Sequence, residues 1–223
     1  MEKEKIIIRR VKGDTIFAKE DEVAVEYQLD IPLTNGKVIS VTCTPTYLEE
    51  MILARKYLAG DLKVEKPLVE SDSCQGQEGL KCVNLEEIFR IAKDSFENPG
   101  PLFTETGCAH SCALIYQGEV KCCIEDIGRH NALDKVIGYA LRYQIPIEKS
   151  YVFSSGRISG DYLQKVIAAG FPMAVSRAAV TDQAVKLAKE HDITMLGFIR
   201  KNTGNLYHEG TVKICNDLKE CHE

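Results

Sequence analysis

The chain has 223 residues, 44% of them hydrophobic and 27% charged, enough to bury roughly 70% of its unfolded surface around a core of its own. Its 28 Lys and Arg against 33 Asp and Glu leave a net charge of −5, which speaks against a general electrostatic grip on nucleic acid or on an anionic membrane. No apolar run reaches the roughly 18 residues of a membrane-crossing helix, and the charged residues 1–5 lead into a strand pattern rather than a secretory signal, so a cytoplasmic protein is expected.

Residues 6–9, 15–18, 22–29 and 37–42 read as short strands, with Thr34-Asn35-Gly36 as the turn between the last two, because Asn and Gly tolerate positive φ. A helix is predicted over 47–58, opened by Thr46 and Glu49 in a capping-box spacing and closed by Gly60. The polar stretch 70–81 is the best candidate for a mobile loop; it carries Cys74, with Cys82 at its far edge. Asn84 and Glu87 open a further helix, which Asn98-Pro99-Gly100-Pro101 stops.

The second half alternates more regularly. Residues 109–116 and 119–126 read as a hairpin around Gln117-Gly118, followed by a helix over 129–142. Strands at 151–154, 172–176 and 193–199 then alternate with helices at 161–169 and 181–190. Such alternation implies an α/β fold with a mixed, largely parallel sheet covered on both faces, and ligands of such sheets sit outside the carboxyl ends of the strands. The chemistry is therefore expected in the segments 154–160, 176–181 and 200–205. The tail 213–223 reads as frayed or helical. No internal repeat is present. The expected organisation is a β-rich segment with its helix over 1–69, packed as part of one unit, a cysteine loop over 70–83, an α/β core over 84–212 and the tail.

Two of these junctions carry dense functional groups. Residues 125–135 place Arg129, His130 and Asn131 at a strand-to-helix junction, where free N–H groups and positive potential suit an anion; Asp126 capping the helix and Arg129 pairing with Glu125 is the equally economical reading. Ser155-Gly156-Arg157 offers hydroxyl, flexible backbone and guanidinium to a phosphate, although a plain turn has the same spacing. Together with Arg177 and with Arg200-Lys201-Asn202-Thr203, these loops point to a phosphate-rich ligand.

Nine cysteines are many for a chain without an export signal, and an odd number cannot all pair internally, which suggests sulfur chemistry or a metal rather than a disulfide framework. If Gln117-Gly118 is a two-residue turn, Cys112 faces Cys123 and His110 faces Glu125, so that Cys108, His110, Cys112 and Cys123 could converge on a soft metal. Small thiols buried in a hairpin core are the competing and favoured expectation.

Thr106-Gly107 with His110, the run Glu125-Asp126-x-Gly-Arg-His-Asn-Ala-x-Asp-Lys135, Ser155-Gly156-Arg157 and Gly197-Phe198-x-Arg200 resemble the FdhD family of formate dehydrogenase accessory sulfurtransferases, over residues 20–207. The resemblance implies a three-layer fold related to cytidine deaminases, without their His-x-Glu and Pro-Cys-x-x-Cys zinc signature, and a homodimer. It implies a carrier that takes persulfide sulfur from a cysteine desulfurase and passes it to the molybdenum bis(molybdopterin guanine dinucleotide) cofactor on its way to formate dehydrogenase. That cofactor is bound as substrate, and no permanent cofactor or metal is expected. By the same resemblance Cys74 is the persulfide thiol and Cys82 its partner. Phe198, Ile199, Arg200, Lys201, Asn202 and Thr203, with Arg129, His130, Asn131, Ser155, Gly156, Arg157 and His110, then bind the cofactor. The chain departs from the family pattern in two ways. Cys74 is followed by Gln75-Gly76-Gln77, so the next thiol is eight positions on, and Cys108 and Cys112 replace Gly and Ala beside the histidine. A cofactor chaperone that moves no sulfur is the alternative reading.

Overall fold

A computed structural model describes residues 2–62 and 79–216. In chain order the elements are β1 (Lys3–Lys12), β2 (Thr15–Ala24), β3 (Tyr27–Pro32), β4 (Val38–Cys43), α1 (Leu48–Leu58), β5 (Cys82–Asn84), α2 (Leu85–Glu97), α3 (Pro101–Thr106), β6 (His110–Tyr116), β7 (Glu119–Asp126), α4 (Arg129–Arg142), β8 (Ser150–Ser154), α5 (Gly160–Ala169), β9 (Met173–Ser176), α6 (Asp182–Glu190), β10 (Thr194–Arg200), β11 (Thr203–His208) and β12 (Lys213–Cys215).

The centre is a six-stranded mixed sheet in the order β11-β10-β9-β8-β6-β7. Strands β8, β9 and β10 run parallel, and β6 and β11 run antiparallel to their neighbours. Every residue of β8 and β9 is buried, as expected of strands covered on both faces. On one face Leu114, Ile124, Val152, Ala174 and Met195 meet Leu133, Val136, Leu163 and Leu187 of α4, α5 and α6. On the other, Ile115, Phe153, Val175 and Leu196 meet Ile88 and Ile91 of α2. The result is a three-layer arrangement, with α1 outside α4 and the β3–β4 hairpin closing a small core of Ile31, Val41, Cys43 and Met51.

Helix α1 lies against α4 because Gly138 has no side chain. A Cβ there would collide with the backbone carbonyl of Glu50, so the two helices approach as closely as backbone allows. The β1–β2 hairpin forms its own two-stranded sheet and reaches the rest of the molecule through α3, including an ion pair between Lys3 and Glu105.

The structure corrects several expectations. Thr46 does not cap α1: the N-cap is Tyr47, with φ 51° and no side-chain bond, while the Thr46 hydroxyl bonds to Glu2. The Asn84 cap is as expected, its Oδ1 accepting from the Glu86 N–H at 2.7 Å. The segment after residue 98 restarts as α3, with Pro101 in its first turn. Residues 213–215 are a strand, paired in parallel with β5, rather than frayed or helical. The segment after β10 is no open loop, since Lys201 and Asn202, both at positive φ, turn the chain directly into β11, the geometry of a tight hairpin turn.

Candidate functional site

Because β7, β8, β9 and β10 point the same way, their carboxyl ends, Asp126, Ser154, Ser176 and Arg200, reach one edge of the sheet. The start of β6, at His110, lies at that edge too. The loops there are stitched to one another. The Ser155 N–H donates to the Ser111 carbonyl at 2.9 Å, and the Ser111 N–H donates to Ser155 Oγ at 2.8 Å. The Ser176 hydroxyl donates to the Gly156 carbonyl at 2.7 Å, and Arg200 Nε donates to the Arg177 carbonyl at 3.0 Å. Ile158 and Val180 form a parallel bridge between the two post-strand loops. Gly156 is pressed between neighbours, since a Cβ would lie 3.1 Å from Arg129 Cβ and 3.3 Å from His110 Nδ1.

Two cavities open along this edge. The larger, about 840 Å³, is lined by Lys93, Arg177, Arg200, Lys201, Asn202 and Thr203, with Ile199 at its floor. Four cationic side chains against the one carboxylate of Glu97 make it a basic cavity, suited to phosphate oxygens. Arg200 stacks over the ring of Phe198, 5.5 Å from its centroid, and Phe198 holds a positive φ of 55° at an irregularity in the β10–β11 ladder. The second cavity, about 430 Å³, is lined by Cys108, His110, Ser111, Ser155, Glu125 and Arg177. Arg177 belongs to both.

Partial desolvation of the ring, with the positive charges of Arg129 and Arg157, pulls the His110 pKa below its ordinary 6.5, so the imidazole is neutral at neutral pH. Burial also lowers His130, against the pull of Asp161, whose carboxylate lies 3.2 Å from His130 Nε2. Arg129 reaches the Ser159 hydroxyl at 3.2 Å, rather than pairing with Glu125. Glu125 instead accepts from the Leu102 and Phe103 N–H groups at 2.9 and 3.0 Å and so caps α3.

Most residues expected to bind ligand are therefore on one edge: His110, Arg129, His130, Ser155, Gly156, Arg157 and 198–203. Two face inward. Ile199 is 1% exposed and its side chain belongs to the core. Asn131 is buried and spans from the Thr42 carbonyl, at 2.7 Å, to Asp126 Oδ1, at 2.9 Å. It joins a structural network in which Lys135 Nζ sits 2.6 Å from Asp126 Oδ2 and Thr44 bonds to both. The motif over 125–135 thus divides between surface and interior. Asp126, Asn131 and Lys135 build the scaffold, while Arg129 and His130 lie at the sheet edge, bonded to Ser159 and Asp161, and line neither cavity. Sequence reasoning missed Lys93, which α2 brings to the basic cavity from a distant part of the chain; no local pattern around it marks that role.

The four-residue metal cluster does not form. Between Leu114 and Ile115 the β6–β7 ladder shifts by one residue. Tyr116 pairs with Glu119 as the two-residue turn requires, but Cys112 then pairs with Ile124 and His110 with Asp126. Cys112 and Cys123 fall on opposite faces, with Cys112 fully buried and its thiol pKa pushed up by burial. Among the described residues no group of three or more metal-ligating side chains converges. Cys74 lies outside the described residues. Cys82 is bonded as a disulfide to Cys215, joining the two strands β5 and β12 rather than standing free. No helix among the described residues is long and apolar enough to cross a membrane.

The family model described as FdhD/NarQ family matches residues 59–213. A sulfur carrier protein FdhD of Listeria monocytogenes serotype 4b (strain F2365) is 30% identical, the alignment covering 90% of this chain and 94% of the relative. The protein FdhD of Methanocaldococcus jannaschii is 31% identical over 92% of this chain and 96% of its own. Among solved structures, one described as a formate dehydrogenase accessory protein from Desulfotalea psychrophila matches with a TM-score of 0.76 at 24% identity, covering 92% of this chain and 96% of the other. That likeness speaks to the fold.

Proposed function

The chain belongs to the FdhD/NarQ family, and from that footing we propose that it is a sulfur carrier in the maturation of formate dehydrogenase. It receives persulfide sulfur on Cys74 from a cysteine desulfurase. It transfers that sulfur to the molybdenum bis(molybdopterin guanine dinucleotide) cofactor, which it binds as substrate, as a homodimer of cytidine-deaminase-like subunits.

The observation that carries this reading is the pair of cavities joined at Arg177. A dinucleotide cofactor is long and carries several phosphates. The basic cavity supplies guanidinium and ammonium groups for a phosphate-bearing tail, and the neighbouring cavity, with its imidazole and thiol, faces the end where sulfur is handled. Hydrogen bonds between adjacent loops, main-chain and from the Arg200 side chain, hold both cavities in place, so the binding groups are ordered before the ligand arrives.

GDP stands in for one end of the cofactor. Calorimetry is expected to show binding that weakens with salt, and Arg177→Ala or Lys201→Ala is expected to weaken it by about tenfold or more, a loss of about 1.4 kcal/mol. No heat of binding at millimolar GDP overturns the reading.

One observation favours the chaperone alternative. With Cys82 joined to Cys215, Cys74 has no nearby sequence partner to resolve its persulfide. Cys74→Ala separates the two: full support of formate dehydrogenase by this variant means binding without sulfur transfer, and its loss means sulfur carriage.

A further inference from the structure

The β1–β2 hairpin has no core of its own. None of the residues in its two strands is buried, and its hold on the rest of the chain is through α3. A two-stranded sheet of this kind is marginal in water unless one face is covered. Ile7 and Val11, 74% and 67% exposed, are the two most exposed large apolar side chains among the described residues, and Ile16 is 55% exposed. Side chains two apart on a strand share a face, and so do directly opposed residues. The ladder pairs Val11 with Ile16 and Arg9 with Ala18, so Ile7, Val11, Ile16 and Ala18 make one apolar patch on a single face, toward the tip.

That face also carries charge in two rows of opposite sign. β1 brings Lys3, Lys5 and Arg9 to it, and β2 brings Glu20 and Glu22, opposite Ile7 and Lys5. Lys5 pairs with Glu20 at 2.8 Å and Lys3 with Glu22 at 2.9 Å, whereas Arg9 has no hydrogen bond or ion pair among the described residues. A partner surface of one sign would repel one of the two rows. A second copy fits both when the hairpins stack face to face about a two-fold axis parallel to the strands, because this sets β1 over the partner subunit's β2 and opposes the rows. Val11 then lies over the partner's Ile16, and Arg9 lies over the partner's Ala18, beside the partner's Glu20. The alternative two-fold, with the tips opposed, sets β1 over β1 and brings like charges together.

Resting on the homodimer of the reading above, we infer that this face of the β1–β2 hairpin is the surface through which two copies of the chain join. Each subunit's patch covers the other's, which gives the hairpin the buried face that it lacks alone. A contact of this kind is isologous, so it closes on itself as a pair and leaves no patch free for a third copy. The hairpin stands on α3, and Phe103 of α3 with Gly107 and Cys108 after it line the smaller cavity, so the joint is made beside the proposed site.

Sedimentation equilibrium of the full chain is expected to give a dimer, and Ile7→Asp combined with Val11→Asp is expected to raise its dissociation constant about a hundredfold or more. Arg9→Glu is expected to weaken the dimer about tenfold, and Glu20→Arg added to it is expected to recover most of that loss, a recovery that a melted hairpin would not produce. In the natural chain, which needs no variant, amide exchange over 3–24 is expected to slow as the concentration is raised through the dissociation constant. A dimer that survives Ile7→Asp with Val11→Asp, one that Glu20→Arg does not recover, or one whose formation leaves exchange over 3–24 unchanged overturns the inference alone and leaves the homodimer standing. A chain that stays monomeric at millimolar concentration overturns both. GDP binding and the Cys74→Ala variant read cofactor binding and sulfur carriage separately from either result.

Discussion

Lys135 Nζ lies 2.6 Å from Asp126 Oδ2, and neither side chain has any exposure. The ammonium also donates to the Thr44 hydroxyl at 2.6 Å and to the Thr44 carbonyl at 3.1 Å. A buried ion pair contributes little when compared with apolar packing, but removing one partner strands the other charge. This pair ties the end of β4 to the junction of β7 and α4, the junction that presents Arg129 and His130.

Lys135→Met is therefore expected to destabilise the protein by about 3–5 kcal/mol, because the Asp126 carboxylate loses its cation. Urea unfolding followed by circular dichroism measures it. A loss below about 1 kcal/mol would show that Asp126 is satisfied by Asn131 and Thr44 without the ammonium.

Gly138→Ala is expected to force α1 away from α4, since the new methyl would meet the Glu50 carbonyl, which is backbone and cannot swing aside. Overpacking of this kind costs about 1–3 kcal/mol, and thermal unfolding reads it. Helix propensity alone predicts the opposite sign, a gain of about 1 kcal/mol from Gly to Ala, so the direction of the shift decides which effect wins.

Both His110 and His130 have folded-state pKa values lowered below 6.5, chiefly by desolvation. Below that pH the unfolded chain binds protons that the folded protein resists, so stability is full above about pH 6.5 and declines as the pH falls through the folded values. Denaturant midpoints taken between about pH 7.5 and pH 5 are expected to drop, and His110→Gln is expected to flatten part of the decline. Proton NMR of the imidazoles gives the direct check, with both rings titrating below 6.5.

Cys82 and Cys215 are 133 positions apart in sequence, so their bond closes a long loop. Its removal in Cys215→Ala is expected to cost on the order of 2–5 kcal/mol. Reductant should lower the denaturation midpoint of the natural chain and leave that of the variant unchanged, and a non-reducing digest should yield the two peptides joined.

The regular second half was legible in sequence because its apolar spacing and its Gly and Pro stops are local. The helix over 129–142 and the alternation after it follow from such signals, and α4 spans Arg129–Arg142. What escaped depends on distant partners. Strands β5 and β12 are three residues each, too short to show a period, and exist because they pair with one another. The one-residue shift in the β6–β7 ladder leaves no mark in composition, yet it separates Cys112 from Cys123 and dissolves the metal cluster. The edge carrying Ser155, Arg157, Arg177 and Arg200 was readable from strand order. That Asn131 and Ile199 turn inward was not, because burial is decided by what packs above them.

The tight turn at Lys201-Asn202 has a kinetic consequence. Its backbone is already held in the β10–β11 ladder, so a ligand that engages Arg200, Lys201, Asn202 and Thr203 has no loop to fold at the moment of encounter. Only side-chain rotamers remain to be fixed, at about 0.5–1.5 kcal/mol each. Arrival of an anionic ligand at this edge is then governed by diffusion and by attraction to the four cations, and its rate should track ionic strength more than temperature-dependent rearrangement.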